Sequence, residues 1–225
     1  MDTKVILTGA TGLVGEGVLL ECLRNPSIKE VLMVNRRPYE GAKNEKLKEC
    51  IVPDFFELDA VSEQLKGYDA CFYCAGISSR GLSEVEYSLI TYDTTLAFAH
   101  KVLELNLEIR FVFVSGSHTD SSEQGPVMWA RVKGKTENAL MKLPFKEEYN
   151  FRPGFMKPTE GQKNVKGYYK VISWMYPFLS ALFPSQTSTL HEVGQAMINS
   201  VTKGYPKQTL EIKDIKLLAQ ARYEY

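Results

Sequence analysis

GATGLVG, residues Gly9–Gly15, is the stretch that decides the fold of this chain. It follows a short apolar run, Lys4–Thr8, which has the pattern of a buried β-strand, and it leads into a helical pattern over Leu13–Arg24. Glycines at this spacing, between a strand and a helix, permit a tight turn and let a dinucleotide pyrophosphate approach the helix N-terminus. A merely structural glycine turn is the alternative. The residues expected to meet the cofactor here are Gly9, Thr11, Gly12, Leu13, Val14 and Gly15.

Strands and helices alternate beyond this turn. Further strands are predicted at Glu30–Val34, Leu47–Val52, Asp69–Cys74, Ile109–Val114 and Glu148–Phe151. Further helices are predicted at Leu58–Lys66, Ser83–Leu105 and Gly125–Leu143. Nearly continuous apolar strands separated by helices indicate an α/β protein with a Rossmann-like, doubly wound parallel sheet covered by helices on both faces.

The chain of 225 residues is long enough for one generous domain. We expect a dinucleotide-binding domain over residues 1–155 and a small region over 156–225 that packs on it and caps a substrate pocket. That region is predicted to contain helices at Tyr168–Phe183 and Thr189–Thr202, a strand at Thr209–Ile212 and a last helix from Asp214. The second helix opens with TLHE, a capping box.

Charge and cysteine content restrict the partners. Lys plus Arg equals Asp plus Glu, 27 each, which argues against a broadly basic nucleic-acid surface. CFYC, Cys71–Cys74, reads as part of a strand, and no second Cys or His pair completes a metal site. We therefore expect core cysteines, no metal and a reducing compartment.

Membrane-spanning and targeting patterns in the sequence bear on where the protein is located. MDTKVILTGA lacks the pattern of a signal peptide, so a cytoplasmic location is predicted. The apolar stretch Tyr168–Pro184 contains Lys170 and Pro177 and is shorter than the ~20 residues that span a bilayer. No membrane or nucleic-acid partner is expected, and the protein is either a monomer or a homodimer.

The end of the second strand, VLMVNRRP, bears on the choice of cofactor. A protein that prefers NAD usually places Asp or Glu there for the ribose 2′-hydroxyl, whereas this chain has Asn35, Arg36 and Arg37. Guanidinium groups pair with phosphate, so NADP(H) is favoured over NAD(H), with solvated loop arginines as the alternative. Asp59 either accepts a hydrogen bond from the adenine amino group or caps the following helix.

The order of these motifs resembles the short-chain dehydrogenase/reductase superfamily. The similarity is to its atypical branch, to Tat-interacting-protein-like oxidoreductases and to the NAD-dependent epimerase/dehydratase group. It rests on GATGLVG, NRR, CAG, YDTTLAFAHKVLE, FVFVSG, the helix with Lys133, RPGFMKP and the late HEVGQAMI and TLEIKDI. The resemblance implies that Ala75 and Gly76 line the riboses and that Lys133 binds the nicotinamide ribose. It implies that Arg152, Pro153, Gly154 and Phe155 close the nicotinamide end.

Two departures from that family affect the chemistry. Active relatives carry a tyrosine four residues before the lysine as proton donor, and this chain has Trp129, whose indole cannot ionise near neutral pH. The family's substrate-orienting hydroxyl falls on Ser115, Gly116 or Ser117, depending on the register of SGSH.

Other residues are candidates for the missing proton donor. His118 follows the fifth strand at the edge where chemistry is expected, although a solvated loop histidine is the alternative. Tyr168 or Tyr169 is a further candidate, with packing in an aromatic-rich helix as its alternative. The sequence thus supports two hypotheses: an NADP(H)-dependent oxidoreductase of unusual mechanism acting on an unknown small molecule, or a weakly active or inactive NADP(H) sensor or interaction module.

Overall fold

The computed structural model of the chain describes residues 2–41, 43–165 and 168–221, and the side chains of residues 168–174 lie outside the described part. The strands are β1 (Thr3–Thr8), β2 (Ile28–Asn35), β3 (Leu47–Ile51), β4 (Ala70–Tyr73), β5 (Arg110–Val114), β6 (Glu147–Phe151), β7 (Phe155–Lys157), β8 (Thr187–Thr189) and β9 (Thr209–Leu210). The α-helices are α1 (Leu13–Arg24), α2 (Glu84–Ser88), α3 (Thr94–Leu105), α4 (Met128–Leu140), α5 (Tyr168–Leu182), α6 (Leu190–Lys203) and α7 (Ile212–Ala219).

Seven strands form one parallel sheet in the order β3-β2-β1-β4-β5-β6-β9. The order reverses between β1 and β4, which opens a crevice at the carboxyl ends of these strands. Helices cover both faces of the sheet, because its strands are apolar on both sides and each side needs a partner. The predicted fold class is confirmed.

Each face of the sheet has its own hydrophobic core. On one face, Val18 and Leu19 of α1 pack with Val193 and Met197 of α6. On the other, aromatic side chains dominate, and the rings of Tyr73 and Phe98 lie 5.6 Å apart. The first cluster holds α1 against the sheet, and the second contains Tyr73 at the end of β4, so both elements next to the crevice are anchored in the core.

The predicted helix over Ser83–Leu105 is present but is not uniform. A π-helical turn, Leu89–Asp93, separates α2 from α3. The Thr94 hydroxyl donates to the carbonyl of Leu89, five residues earlier, at 2.8 Å, which suits the wider turn. π-Helical turns are frequent at functional sites. This one places Ile90 and Thr94 on the crevice.

The start of α4 differs from the prediction. Helix α4 begins at Met128 rather than at Gly125, because Asp120 organises the preceding residues into a loop. Its carboxylate accepts from the backbone N–H of Ser122 at 3.0 Å and of Gly125 at 2.6 Å.

The region after residue 155 shows further differences. β9 ends at Leu210 and α7 begins at Ile212, so the predicted strand was too long and the last helix starts two residues earlier than predicted. The sequence pattern also missed the parallel pair β7–β8, whose strands have three residues each. Such strands are too short to show a period.

Two absences concern the described residues only. Among them, no helix is long and apolar enough to cross a membrane. None of their His, Cys, Asp and Glu side chains form a group of three or more that could hold a metal ion. The four cysteines are free, and Cys22, Cys50 and Cys71 are buried as predicted.

Candidate dinucleotide site

A cavity of about 660 Å³ lies at the carboxyl ends of β1, β2 and β4. Its volume falls within the range of about 300–1,000 Å³ typical of ligand pockets. The walls bring together the glycine turn, the end of β2 and the residues after β4, which are far apart in sequence. The crevice expected from the strand order is therefore an open site.

The glycine turn is shaped by contacts that exclude side chains. Gly9 has φ +72°, and a Cβ there would lie 2.7 Å from the backbone of Cys74 and Ala75. A Cβ on Gly15 would lie 2.1 Å from the carbonyl oxygen of Gly9. Glycine at position 15 therefore lets the first turn of α1 pack closely against the preceding glycine turn. The turn is locked against the end of β4, where the Ala75 N–H donates to the Thr8 hydroxyl at 3.1 Å.

Helix α1 presents its N-terminus to this cavity. Gly12 is its N-cap residue and offers no side chain to the first turn. The N–H groups of the first helical turn have no partner within the helix, and the helix dipole adds positive potential there. Thr11 and Gly12 line the cavity, whereas Leu13, Val14 and Gly15, which were also expected to meet the cofactor, do not line it. This arrangement suits an anionic phosphate.

The end of β2 provides the positive charge of the site. Asn35 is buried, and its amide donates to Glu49 at 3.0 Å, so this side chain is held inside the protein. Arg36 and Arg37 are exposed and line the cavity. Neither arginine forms an ion pair with any residue that the structure describes. Both guanidinium groups are available to an anion.

The structure places Asp59 away from the cavity, contrary to expectation. Its carboxylate is 91% exposed and pairs with Lys101 at 2.7 Å. It is the first residue of a 3₁₀-helix, Asp59–Leu65, and makes no capping hydrogen bond. Asp54 and Phe55, in the loop that follows β3, line the cavity instead, as do Ala75 and Gly76. The sequence signal for Asp54 was an acidic residue two positions after the end of the predicted strand Leu47–Val52.

Lys133 reaches the end of β5 from helix α4. Its amine donates to the carbonyl of Val114 at 3.1 Å and lies 5.4 Å from the centre of the Phe113 ring. Burial lowers the pKa of Lys133 to about 8, while the nearby Glu137 carboxylate opposes that shift. The amine therefore exchanges its proton near neutral pH.

The three possible positions for the substrate-orienting hydroxyl are not equivalent. Ser115 is buried, and its hydroxyl is bound to Glu137 at 2.5 Å and to the Phe151 carbonyl at 3.1 Å. Gly116 has φ +138° and faces open space, with no atom within 4 Å of a Cβ built there. Ser117 has its hydroxyl 3.3 Å from Nδ1 of exposed His118. Ser117 and His118 are thus free to meet a ligand, whereas Ser115 is held by internal contacts.

Trp129 lies one helical turn before Lys133 on α4, so the two side chains share a face of the helix. The indole is half-buried. Within the described part of the chain, no group accepts a hydrogen bond from its N–H. The side chains of Tyr168 and Tyr169 lie outside the described residues, so their candidacy as proton donors stays a prediction.

Arg152 is held by an internal network. Its guanidinium donates to Glu137 through Nε at 3.0 Å and also through Nη2, and it reaches Glu211 at 3.1 Å and Ser121 at 2.6 Å. These contacts tie α4, β6 and α7 together. The expected role of Arg152 at the nicotinamide end therefore competes with a structural one. Pro153 and Gly154 follow in the connection from β6 to β7, and Phe155 is the first residue of β7. A Cβ on Gly154 would lie 2.2 Å from the Gln186 carbonyl.

A buried carboxyl near this network was missed by sequence reasoning. Glu148 on β6 is buried, and Asn150 donates to one of its oxygens at 3.2 Å. Burial, assisted by the charge of Glu137, raises the pKa of Glu148 to about 9. The side chain is therefore a neutral acid at physiological pH. Alternation along EEYNF gave no such signal, because a charged residue in a short strand usually faces solvent.

Comparison with known proteins agrees with this geometry. The sequence model of the NAD dependent epimerase/dehydratase family matches residues 5–131. Leucinostatins biosynthesis cluster protein T of Purpureocillium lilacinum is 30% identical over 141 residues, which are 62% of this chain and 51% of that protein. Protein HTATIP2 of Rattus norvegicus is 28% identical over 163 residues, covering 69% of this chain and 63% of that protein. The chain thus spans about half to two thirds of the length of these curated relatives.

Among solved structures, a UDP-glucuronic acid 4-epimerase from Bacillus cereus in complex with NAD superposes with a TM-score of 0.66. It is 13% identical in sequence, and the alignment covers 93% of this chain and 76% of that one. At that identity the similarity concerns the fold.

Proposed function

This chain belongs to the NAD dependent epimerase/dehydratase family, and from that premise we propose that it binds NADP(H) in preference to NAD(H) and acts as an oxidoreductase with an atypical active site. The dinucleotide lies in the cavity, with its pyrophosphate at the N-terminus of α1 and its adenosine half between Asp54, Phe55 and Ile77. The substrate is a small molecule that meets the cofactor near Ser117, His118 and Lys133.

The observation that supports NADP(H) most directly is the pair Arg36 and Arg37. Both line the cavity at the end of β2, where a carboxylate would otherwise hold the ribose 2′-hydroxyl. Both lack ion-pair partners among the described residues, so a 2′-phosphate does not compete with an internal salt bridge. A hydrogen bond to a charged group contributes roughly 1.5–3 kcal/mol, or about tenfold or more in affinity.

The proposed reaction depends on proton transfer without the family's tyrosine. Burial lowers the pKa of Lys133 to about 8, and exposed His118 has its Nδ1 3.3 Å from the Ser117 hydroxyl. In this proposal one of these two side chains takes the place of the phenol beside the substrate. The hydride itself is the chemistry that the nicotinamide supplies.

A second candidate function is an NADP(H) sensor with little turnover. Trp129 favours it, since an indole in place of the phenol removes an acid that contributes about 10²- to 10⁴-fold to rate. Gly116, which faces open space, favours it as well, because no hydroxyl stands there to orient a substrate oxygen.

Removal of the two guanidinium groups tests the cofactor assignment. The double substitution Arg36→Ala, Arg37→Ala is expected to weaken NADPH binding by about tenfold or more and to leave NADH binding nearly unchanged. Arg80→Ala is the matched control, because Arg80 is exposed and does not line the cavity. An equal loss for both nucleotides would contradict the proposal, since it would show that the arginines do not contact the 2′-phosphate.

A further inference from the structure

Helix α5 exposes a continuous apolar face. Met175, Phe178 and Leu182 follow each other at helical spacing, and Phe183 comes directly after the helix. All four are exposed, Phe178 by 70% and Leu182 by 71%. We call these four residues the α5 patch. Contiguous exposed apolar surface of this kind marks a site of interaction with a protein or a membrane.

The α5 patch is not part of the protein core. No described residue of α5 belongs to either hydrophobic cluster of the main sheet. The helix packs on the small sheet β7–β8. Two lysines contact the helix and the residues that follow it. Lys157 lies over the Tyr176 ring at 5.6 Å, and Lys216 donates to the Pro184 carbonyl at 2.8 Å. The fold thus fixes the helix while leaving its apolar face outside.

The charge around the helix points to an anionic occupant. Residues 161–190 contain no Asp or Glu, and their charged residues are Lys163, Lys166 and Lys170. The nearby carboxylate of Glu192 is bound by the N–H and the hydroxyl of Thr189. Among the described residues, Lys157 lies against the Tyr176 ring and Lys216 lies at Pro184, so a negatively charged surface that approaches the α5 patch meets these two cations.

A second copy of the chain fits this face less well. In a two-fold symmetric pair the same surface meets itself, so the lysines of one copy would lie near those of the other. Like charges at an interface oppose association.

The residue types match a helix that lies in a membrane interface. Such helices combine an apolar face with Lys or Arg and with aromatic residues that prefer the headgroup level. The sequence of α5 and its N-terminal flank contains Trp174, three tyrosines and the lysines named above. We propose that α5 docks the protein on an anionic phospholipid surface, with the α5 patch inserted among the headgroups.

This docking replaces the sequence-based expectation that the protein has no membrane partner. That expectation rested on the length of the apolar stretch, which excludes a spanning helix but does not bear on a helix lying in the interface. The proposal is independent of whether NADP(H) is bound or turned over.

Cosedimentation of the full chain with lipid vesicles tests the proposal. We expect binding to phosphatidylcholine vesicles that contain about 30% phosphatidylserine, little binding to pure phosphatidylcholine, and weaker binding in about 0.5 M salt. The double substitution Phe178→Asp, Leu182→Asp is expected to reduce the bound fraction by about tenfold. Val85→Asp, Leu107→Asp is the matched control, because both residues are exposed and apolar but lie outside α5.

Tryptophan fluorescence provides a second readout on the same vesicles. The chain has two tryptophans, Trp129 and Trp174, so Trp129→Phe leaves only the one in α5. Its emission is expected to shift to shorter wavelength with anionic vesicles. The proposal is wrong if the wild type does not bind these vesicles, or if the control variant loses binding as much as the α5 variant. It is also wrong if the α5 substitutions abolish a concentration-dependent dimer while vesicle binding is unchanged.

Discussion

At the scale of single residues, the indole of Trp129 bears on catalysis rather than on cofactor binding in the proposed function. The glycine turn and both arginines line one cavity, and Trp129 does not line it. The indole N–H donates but does not ionise near neutral pH. Lys133, one turn along, retains its place beside Val114. The proposed function therefore has to operate without an ionisable phenol at position 129.

Restoring the phenol is expected to raise turnover. Trp129→Tyr places a hydroxyl one helical turn from Lys133, whose charge favours the phenolate. With a panel of small carbonyl compounds and NADPH, we expect a gain of about 10²- to 10⁴-fold over the wild type. Trp129→Phe is the control, because phenylalanine has the ring of tyrosine without its hydroxyl. Equal rates for all three proteins would show that position 129 does not limit the reaction. Wild-type turnover at ordinary rates would exclude the sensor function.

The buried acid Glu148 makes folding stability depend on pH. The pKa of this carboxyl is about 9 in the folded protein against 4.5 ordinarily, because burial and the charge of Glu137 disfavour ionisation. Since the unfolded chain releases this proton first, stability falls as pH rises from about 4.5 to about 9. Glu148→Gln removes the titrating proton and is expected to stabilise the protein by about 3 kcal/mol at pH 7, with a smaller gain at pH 5.

Chemical denaturation at several pH values measures this effect. The neighbouring Glu147 is a suitable comparison, because its carboxylate is partly exposed and pairs with Arg110 at 2.6 Å. Glu147→Gln is expected to lower stability slightly and to keep the wild-type slope with pH. A Glu148→Gln protein that is no more stable than the wild type at pH 7 would mean that the carboxyl is ionised in the fold.

Sequence reasoning at the residue scale succeeded where the backbone dictates the residue. Gly9 and Gly15 are required by contacts shorter than a side chain allows, and such contacts follow from a strand–turn–helix pattern. It offered Asp59 for the adenine, whereas the carboxylate pairs with Lys101, and it did not show the burial of Glu148 or the ion pairs of Arg152. The direction in which a charged side chain points depends on partners that are distant in sequence. Glu137, the partner of Arg152, lies 15 residues away on another element.

At the scale of helices and strands, the segment after β7 is held against the cofactor-binding helix. Glu16 on α1 is buried, and its carboxylate accepts from the backbone N–H of Lys163 at 2.8 Å and of Asn164 at 2.7 Å. Gln162 donates to the Leu13 carbonyl at 2.8 Å. The start of the C-terminal region is thus fastened to the first turns of α1, next to the glycine turn.

Removal of the Glu16 carboxylate is expected to loosen that attachment. Hydrogen bonds to a charged acceptor contribute roughly 1.5–3 kcal/mol each, so Glu16→Ala should accelerate amide exchange at Lys163 and Asn164 by about tenfold or more. Glu16→Gln retains one acceptor and should have a smaller effect. Exchange measured by NMR distinguishes the two. Unchanged protection in Glu16→Ala would show that the attachment depends on other contacts.

The elements that are long enough to show a regular apolar pattern were predicted best. Helix α1 has the predicted bounds, and the capping box of Thr189 and Glu192 that opens α6 is present. The sequence pattern did not show the π-helical turn within the Ser83–Leu105 prediction, because a single wide turn of five residues is shorter than the window from which a helical period is judged. The strands β7 and β8 exist only because each gives the other its hydrogen bonds, which no local pattern shows.

At the scale of the whole molecule, one parallel sheet brings the site together from distant segments. Hydrogen bonds between β1 and β4 place Gly9 beside Ala75, and the adjacent β2 delivers Arg36 to the same cavity. The fold class followed from the alternation of elements, since right-handed crossovers leave few topologies. The proposed division at residue 155 stays a prediction. The apolar face of α5 needed the structure, because its sequence alone resembles a buried helix.

The most direct test of the central claim is calorimetric titration of the wild-type protein with NADPH and with NADH in the same buffer. The account predicts that NADPH binds at least about tenfold more tightly, since two guanidinium groups meet the 2′-phosphate that NADH lacks. Equal affinities, or tighter binding of NADH, would contradict the role given to Arg36 and Arg37. Binding of neither nucleotide would show that the glycine turn is only structural.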